Sequence, residues 1–280
     1  MKIAFWSNAR QCGVTSNVAA ISVASVIRFP YKIITLENHL SPQNLGSFYQ
    51  GKSKADLVCE VGTNYYEGGG SEGLIRMIYR GYYDGDILNH YMREIICDHL
   101  YYIPQGQVIP SKLFDYELNS CIHPLFQLMG EFAEVSMIDT ASNNMLSSKT
   151  VLEEADLIVV NLCQDPNILE DFFFNYSTLL SKTIILISKY SNHLSYSMKK
   201  IAKAYHFPLG RIFPIPYNEF FQVATQQGRV IEFISSNYNC SKDNPNYFFI
   251  QALKNATYGI MTEVWKPIKE KAEELVPCGL

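Results

Sequence analysis

Residues 1–7, MKIAFWS, run into residues 8–17, NARQCGVTSN, and then into residues 18–27, VAAISVASVI. The first segment is a short apolar run with a β-branched and aromatic bias, which predicts a buried strand. The third is a run of small and aliphatic residues long enough for a closely packed helix. Strand, short loop and helix N-terminus, with Thr15-Ser16 at the helix start, is the layout of a phosphate-binding loop. The glycines and the lysine that such loops carry are mostly missing.

Outward from that stretch, strands alternate with helices. KIITLE (32–37) predicts a second strand ending in Glu37, followed by a polar loop. Further strands are expected at 100–104, 134–140, 157–162, 183–188 and 211–215. Helices are expected at 72–79, 86–96, 114–132 with an interruption near Pro124, 147–154, 167–180, 196–205, 218–225 ended by Gly228, 247–260 and 267–276. Residues 52–73 read as loop-rich, with Gly68-Gly69-Gly70 as a flexible point. LIVVNL (157–162) and TIILIS (183–188) are almost wholly apolar, as strands buried on both faces are. The expected fold class is α/β: one doubly wound, mostly parallel sheet with helices on both faces, in a single domain over residues 1–280. In such sheets ligands bind beyond the C-terminal strand ends.

The composition narrows the function. The chain has 280 residues, 48% hydrophobic and 18% charged, with a formal net charge of -4. That balance gives no strong nucleic-acid signal. Its seven cysteines include no C-x-x-C pair, which speaks against structural zinc, a redox dithiol or an iron–sulfur carrier and suits reduced thiols in a cytosol. Arg10 interrupts the first apolar stretch, so no leader is expected, and no apolar run reaches membrane-spanning length. The terminal Cys278-Gly279-Leu280 is one residue short of a prenylation box. Tyr and Phe number 19 and 16, many of them in 48–116 and 172–249. They read either as core and rim packing or as an aromatic-rich interaction surface.

Four motifs in order resemble the MinD/ParA family of deviant-Walker P-loop ATPases. The family loop K-G-G-x-G-K-S/T-S/T meets Ala9-Arg10-Gln11-Cys12-Gly13-Val14-Thr15-Ser16. Its D-x-D and the later N-L meet Glu37-Asn38-His39 and Asn44-Leu45. Its D-T-x-x-G meets Asp139-Thr140-Ala141-Ser142-Asn143. Its I-P-x-D/N, followed by a helix ending A-x-x-x-G, meets Ile215-Pro216-Tyr217-Asn218 and Ala224 to Gly228.

The resemblance implies a P-loop NTPase fold that takes ATP or ADP with Mg²⁺ in a homodimer. Residues 10–16 would then cradle phosphate, Thr15 and Asp139 would hold the metal, and Ser188, Lys189 and Pro216 would frame the base. It also exposes what is gone. Val14 stands at the Walker lysine position and Ala9 at the subunit-crossing lysine. Those two ammonium groups supply the main charge stabilisation of phosphoryl transfer. Arg10 is the loop's one cation, either reaching phosphate or facing solvent. His39 stands where the family positions the attacking water, either as a base or as a polar loop residue. Asp139 reads as a metal carboxylate or as a strand-end carboxylate. Cys12 reads as a helix-N-terminal thiol or as a filler.

The expected function is therefore a degenerate nucleotide-fold protein with weak or absent ATP hydrolysis. It would act as a cytoplasmic localisation or assembly scaffold, most like the TadZ/CpaE proteins of pilus assembly, with pilus or secretion components as partners. Recruitment to the inner membrane face would be at most peripheral, because the lysines of the 264–276 apolar stripe are offset by glutamates. The alternative is an active partition or division-site ATPase.

Overall fold

The computed structural model describes residues 1–41, 43–50, 70–83, 86–106, 110–142 and 145–274, with residues 266–274 described as backbone only. Asn143, the terminal residues 278–280, most of the 52–73 loop and the side chains of the C-terminal stripe beyond residue 265 lie outside that description.

In chain order the elements are β1 (Lys2–Trp6), α1 (Val14–Arg28), β2 (Ile33–Glu37), α2 (Leu45–Tyr49), α3 (Gly70–Tyr79), α4 (Ile87–Tyr91), β3 (Arg93–Ile96) and β4 (Leu100–Tyr102). There follow α5 (Ser111–Phe132), β5 (Val135–Asp139), α6 (Leu146–Glu154), β6 (Leu157–Leu162), α7 (Pro166–Asn175), β7 (Thr183–Tyr190) and α8 (Met198–Ala204). The last are β8 (Ile212–Pro216), α9 (Glu219–Gln227), α10 (Val230–Asn237) and α11 (Tyr247–Glu274).

The strands form one eight-stranded sheet in the order β3-β4-β2-β5-β1-β6-β7-β8. Every pairing is parallel except β3 with β4. The period-2 alternation of a strand divides β1 between two cores. Ile3 and Phe5 enter the core built with α1 and the C-terminal helices, while Ala4 and Trp6 enter the core under α3 to α8. Both faces are thus covered, which is why the central strands are mostly apolar. β1 lies between β5 and β6, and the chain leaves it toward opposite sheet edges. That places a crevice at its C-terminal end. Phe5 and Glu37 both pair with Asp139, so the loops after β1, β2 and β5 start at one level and face one another.

Several sequence expectations change. Residues 86–96 are not one helix: α4 stops at Tyr91, and Arg93–Ile96 forms an edge strand antiparallel to β4, turning through Asp98 at φ 59°. α5 runs unbroken through Pro124. The ring removes one backbone hydrogen bond, but Cys121, Ile122, Leu125 and Phe126 on that stretch are buried and hold it to the core. α11 likewise continues through Pro267, joining what reads as two helices. α2 emerges from the polar loop after β2 because Asn44 and Ser47 cap it reciprocally. α9 follows its expectation, with the Asn218 side chain accepting from Phe221 N–H and Gly228 closing the helix at φ 67°.

Candidate functional site: a cradle at the end of the central strand

Gly13 heads α1 at φ 76°, and Gln11 sits at φ 60°. Two left-handed residues two positions apart fold the loop back over the helix end. No side chain caps α1, which leaves its first N–H groups and the positive end of its dipole for an anion. The loop is pinned from below. Asn17 Nδ2 donates to Asn161 Oδ1 at 2.6 Å and to Ser188 Oγ at 3.0 Å, and Asn161 Nδ2 donates to the Trp6 and Val159 carbonyls. All three side chains are buried. This network joins β1, β6 and β7 to the first turn of α1, and it has no counterpart in the motif comparison.

The facing wall is built on β2 and β5. Asn38 Oδ1 accepts from Ala141 N–H at 2.7 Å, while its Nδ2 donates to Ser147 Oγ and Ser148 Oγ. This clamp fixes the loop after β2 against the loop after β5. It brings His39 Nε2 to 3.3 Å from Asp139 Oδ2. Burial alone would lower the His39 pKa. The Asp139 carboxylate and, behind it, Glu37 overcome this and raise it to about 9. His39 is therefore an imidazolium at neutral pH, paired with Asp139.

Glu37 is wholly buried. Its Oε1 accepts from Leu45 N–H at 2.9 Å and its Oε2 from the Tyr102 hydroxyl at 2.7 Å. Desolvation, then the Asp139 charge, push its pKa up to about 7. It anchors α2 and β4 to β2.

Between these walls lies a cavity of about 550 Å³. Residues 9–16, His39, Asp139 and the turn after β5 line it, so the structure brings the predicted loop residues together with His39 and Asp139. Among the described lining residues, Arg10 and His39 are the ones that carry positive charge. Ser188, Lys189 and Pro216 lie outside the lining. Ser188 is engaged below Gly13 by Asn17. Lys189 is exposed with φ 52°, and Pro216 pairs with Tyr190 at the end of β8. Cys12 forms a contact not expected from the sequence: Cys163 Sγ lies 3.5 Å from Cys12 Sγ. Only long-range packing could reveal a pairing across that sequence distance.

The residues present fit a magnesium nucleotide in part. The ligand atoms of Glu37, His39 and Asp139 lie within 4.8 Å of one another, but Glu37 already holds Leu45 and Tyr102. Asp139 Oδ2 is buried, makes no well-aligned hydrogen bond and has His39 Nε2 3.3 Å away, so a cation there would compete with the imidazolium for it. Thr15 and Asp139 are the residues that would hold Mg²⁺, and backbone N–H groups of the loop would hold phosphate. When bound, the ion would neutralise charge on phosphate oxygens. The side-chain ammonium groups that share this task in an active loop have no equivalent at Ala9 or Val14.

No family model matches the chain, and no curated protein matches it by sequence. Solved structures do match the fold. A ParA family ATPase from Chlorobium tepidum TLS superposes with a TM-score of 0.69 at 13% identity, covering 92% of this chain and 98% of that one. The cell division ATPase MinD of Pyrococcus furiosus gives 0.65 at 13% identity, covering 93% and 98%. The septum site-determining protein MinD from Pyrococcus horikoshii OT3, complexed with Mg-ADP, gives 0.62 at 12% identity, covering 92% and 95%. The chain has the MinD/ParA-like α/β fold. No helix of the described residues is long and apolar enough to cross a membrane.

Proposed function

We propose that this MinD/ParA-like fold serves as a localisation and assembly scaffold in which nucleotide binding is weak, structural or lost and ATP hydrolysis is weak or absent. The observation that carries this reading is the His39–Asp139 pair. A protonated imidazole has no lone pair with which to take a proton from water, and its charge is spent on the carboxylate that would otherwise support a metal. Together with valine and alanine at the two lysine positions, this removes both the base and the cations of transfer while leaving the helix-end cradle whole.

The loop style Cys12-Gly13-Val14-Thr15-Ser16 favours a role like that of the TadZ/CpaE pilus-assembly proteins, with pilus or secretion components as partners at the cytoplasmic side of the membrane. Self-association is supported by α9. Tyr217, Phe220 and Val223, spaced three apart before and along this helix, are each about half exposed, an apolar stripe of the kind that partners cover.

Calorimetry with a non-hydrolysable ATP analogue and Mg²⁺ tests the cradle. Wild type is expected to bind weakly, and Val14→Lys to bind at least about tenfold more tightly, since each 1.4 kcal/mol of recovered charge attraction is tenfold. Tight wild-type binding unaffected by Val14→Lys would overturn the reading. Sedimentation with and without the analogue asks whether the dimer needs nucleotide.

A further inference from the structure

We propose that Cys12 and Cys163 form a reversible intramolecular disulfide when the protein meets hydrogen peroxide, tying the loop at the head of α1 covalently to the segment after β6. The two sulfurs already touch at 3.5 Å and must close to about 2.0 Å. Both carrying segments are held in place. Gln164, next to Cys163, donates to the carbonyls of Ser191 and Tyr196 and accepts from Ser191 N–H. Asp165 caps α7 through Asn167 N–H. On the other side, Asn8 Nδ2 reaches Asp171 Oδ2 and the Ile168 carbonyl on that same helix. The bond would therefore reinforce a junction that is already closed.

Chemistry favours Cys12 as the first thiol to react. The Cys163 thiol hydrogen-bonds it and outweighs burial; Ser7 and the Lys189 charge help, and its pKa falls to about 6. Cys163 is held protonated by the same contact. Cys12 lines the cavity beside the exposed Arg10 and Gln11, its own side chain 1% exposed. Exposed Cys97 is a poorer nucleophile, because the Asp98 and Glu94 charges raise its pKa.

The Cys12 thiolate attacks one peroxide oxygen. The O–O bond breaks, hydroxide leaves and takes up a proton to become water, and Cys12 becomes a sulfenic acid. The Cys163 sulfur, giving up its proton, then attacks the Cys12 sulfur. The S–O bond breaks and a second water leaves. In sum, two thiols lose two electrons and two protons to one peroxide, which yields a disulfide and two waters.

The test is mass mapping of the full chain under non-reducing conditions after peroxide, with free thiols blocked. A Cys12–Cys163 cross-linked peptide that dithiothreitol reverses is expected in wild type and in Cys97→Ser. In Cys163→Ser the cross-link disappears and Cys12 is trapped by dimedone. Two free thiols after peroxide in wild type, or Cys12 joined to a different cysteine, would overturn the proposal. Nucleotide plays no part in the readout, so this outcome is independent of the scaffold reading.

Discussion

His39 Nε2 stands 3.3 Å from Asp139 Oδ2, with the His39 side chain 17% exposed and that of Asp139 1% exposed. If this carboxylate holds the proton on the ring, removing its charge must release it. Asp139→Asn is expected to drop the His39 pKa from about 9 to its usual 6.5 or below, since burial alone depresses it. Titration of the histidine ring protons by NMR reads this directly. An unchanged midpoint would show that some other group charges the ring.

The same shift fixes a pH dependence. His39 binds its proton more tightly in the folded chain than at its unfolded value of 6.5, so its contribution is complete below that pH and is lost as pH rises through about 9. Glu37, raised from 4.5 to about 7, acts in the same sense over its own window, its contribution falling as pH climbs from 4.5 through 7. Urea midpoints are therefore expected to decline from pH 6 toward about pH 10. His39→Gln should flatten the part of that decline above pH 7.

Asn17→Ala should destabilise the chain by about 1–3 kcal/mol, because it strands the Asn161 amide oxygen and the Ser188 hydroxyl in the interior. Chemical denaturation measures the loss. A change within a few tenths would mean that the network is dispensable.

Two glycines predict losses of stability that differ in their effect on the cavity. A Cβ at Gly13 would meet Ser16 Oγ at 3.3 Å on a backbone at φ 76°, so Gly13→Ala is expected to cost about 1–2 kcal/mol and to weaken analogue binding. A Cβ at Gly259 would fall 2.2 Å from the Phe213 ring. Gly259→Ala should therefore cost about 1–3 kcal/mol by overpacking while leaving the cavity unaltered. Thermal melts and calorimetry on the two variants separate the effects.

Much of the architecture was legible because it depends on local pattern. The apolar runs 157–162 and 183–188 could only be strands covered on both faces, and the interrupted apolar stretch at 1–27 announced the loop between β1 and α1. What escaped depends on distance in sequence. REII at 93–96 is compatible with a helix until β4 offers it a partner. Pro124 and Pro267 read as breaks because the packing that carries α5 through its proline, and the backbone path of α11, are not local. Glu37 reads as the acidic end of the second strand and the first position of the D-x-D motif; its burial beside Tyr102, which makes it an anchor, is not visible there. Asn38 was visible only as the middle of a motif, whereas it is the clamp that sets His39 against Asp139. Asn161 and Cys163 belong to no motif, and their partners lie in the first seventeen residues.

The most direct test of the account is phosphate release from Mg-ATP at high protein concentration, wild type beside Asp139→Ala. The account predicts that both release phosphate at the same near-background rate. Release by the wild type at the typical enzyme median of about ten per second, or at the slow rate of a partition ATPase that Asp139→Ala abolishes, would contradict it.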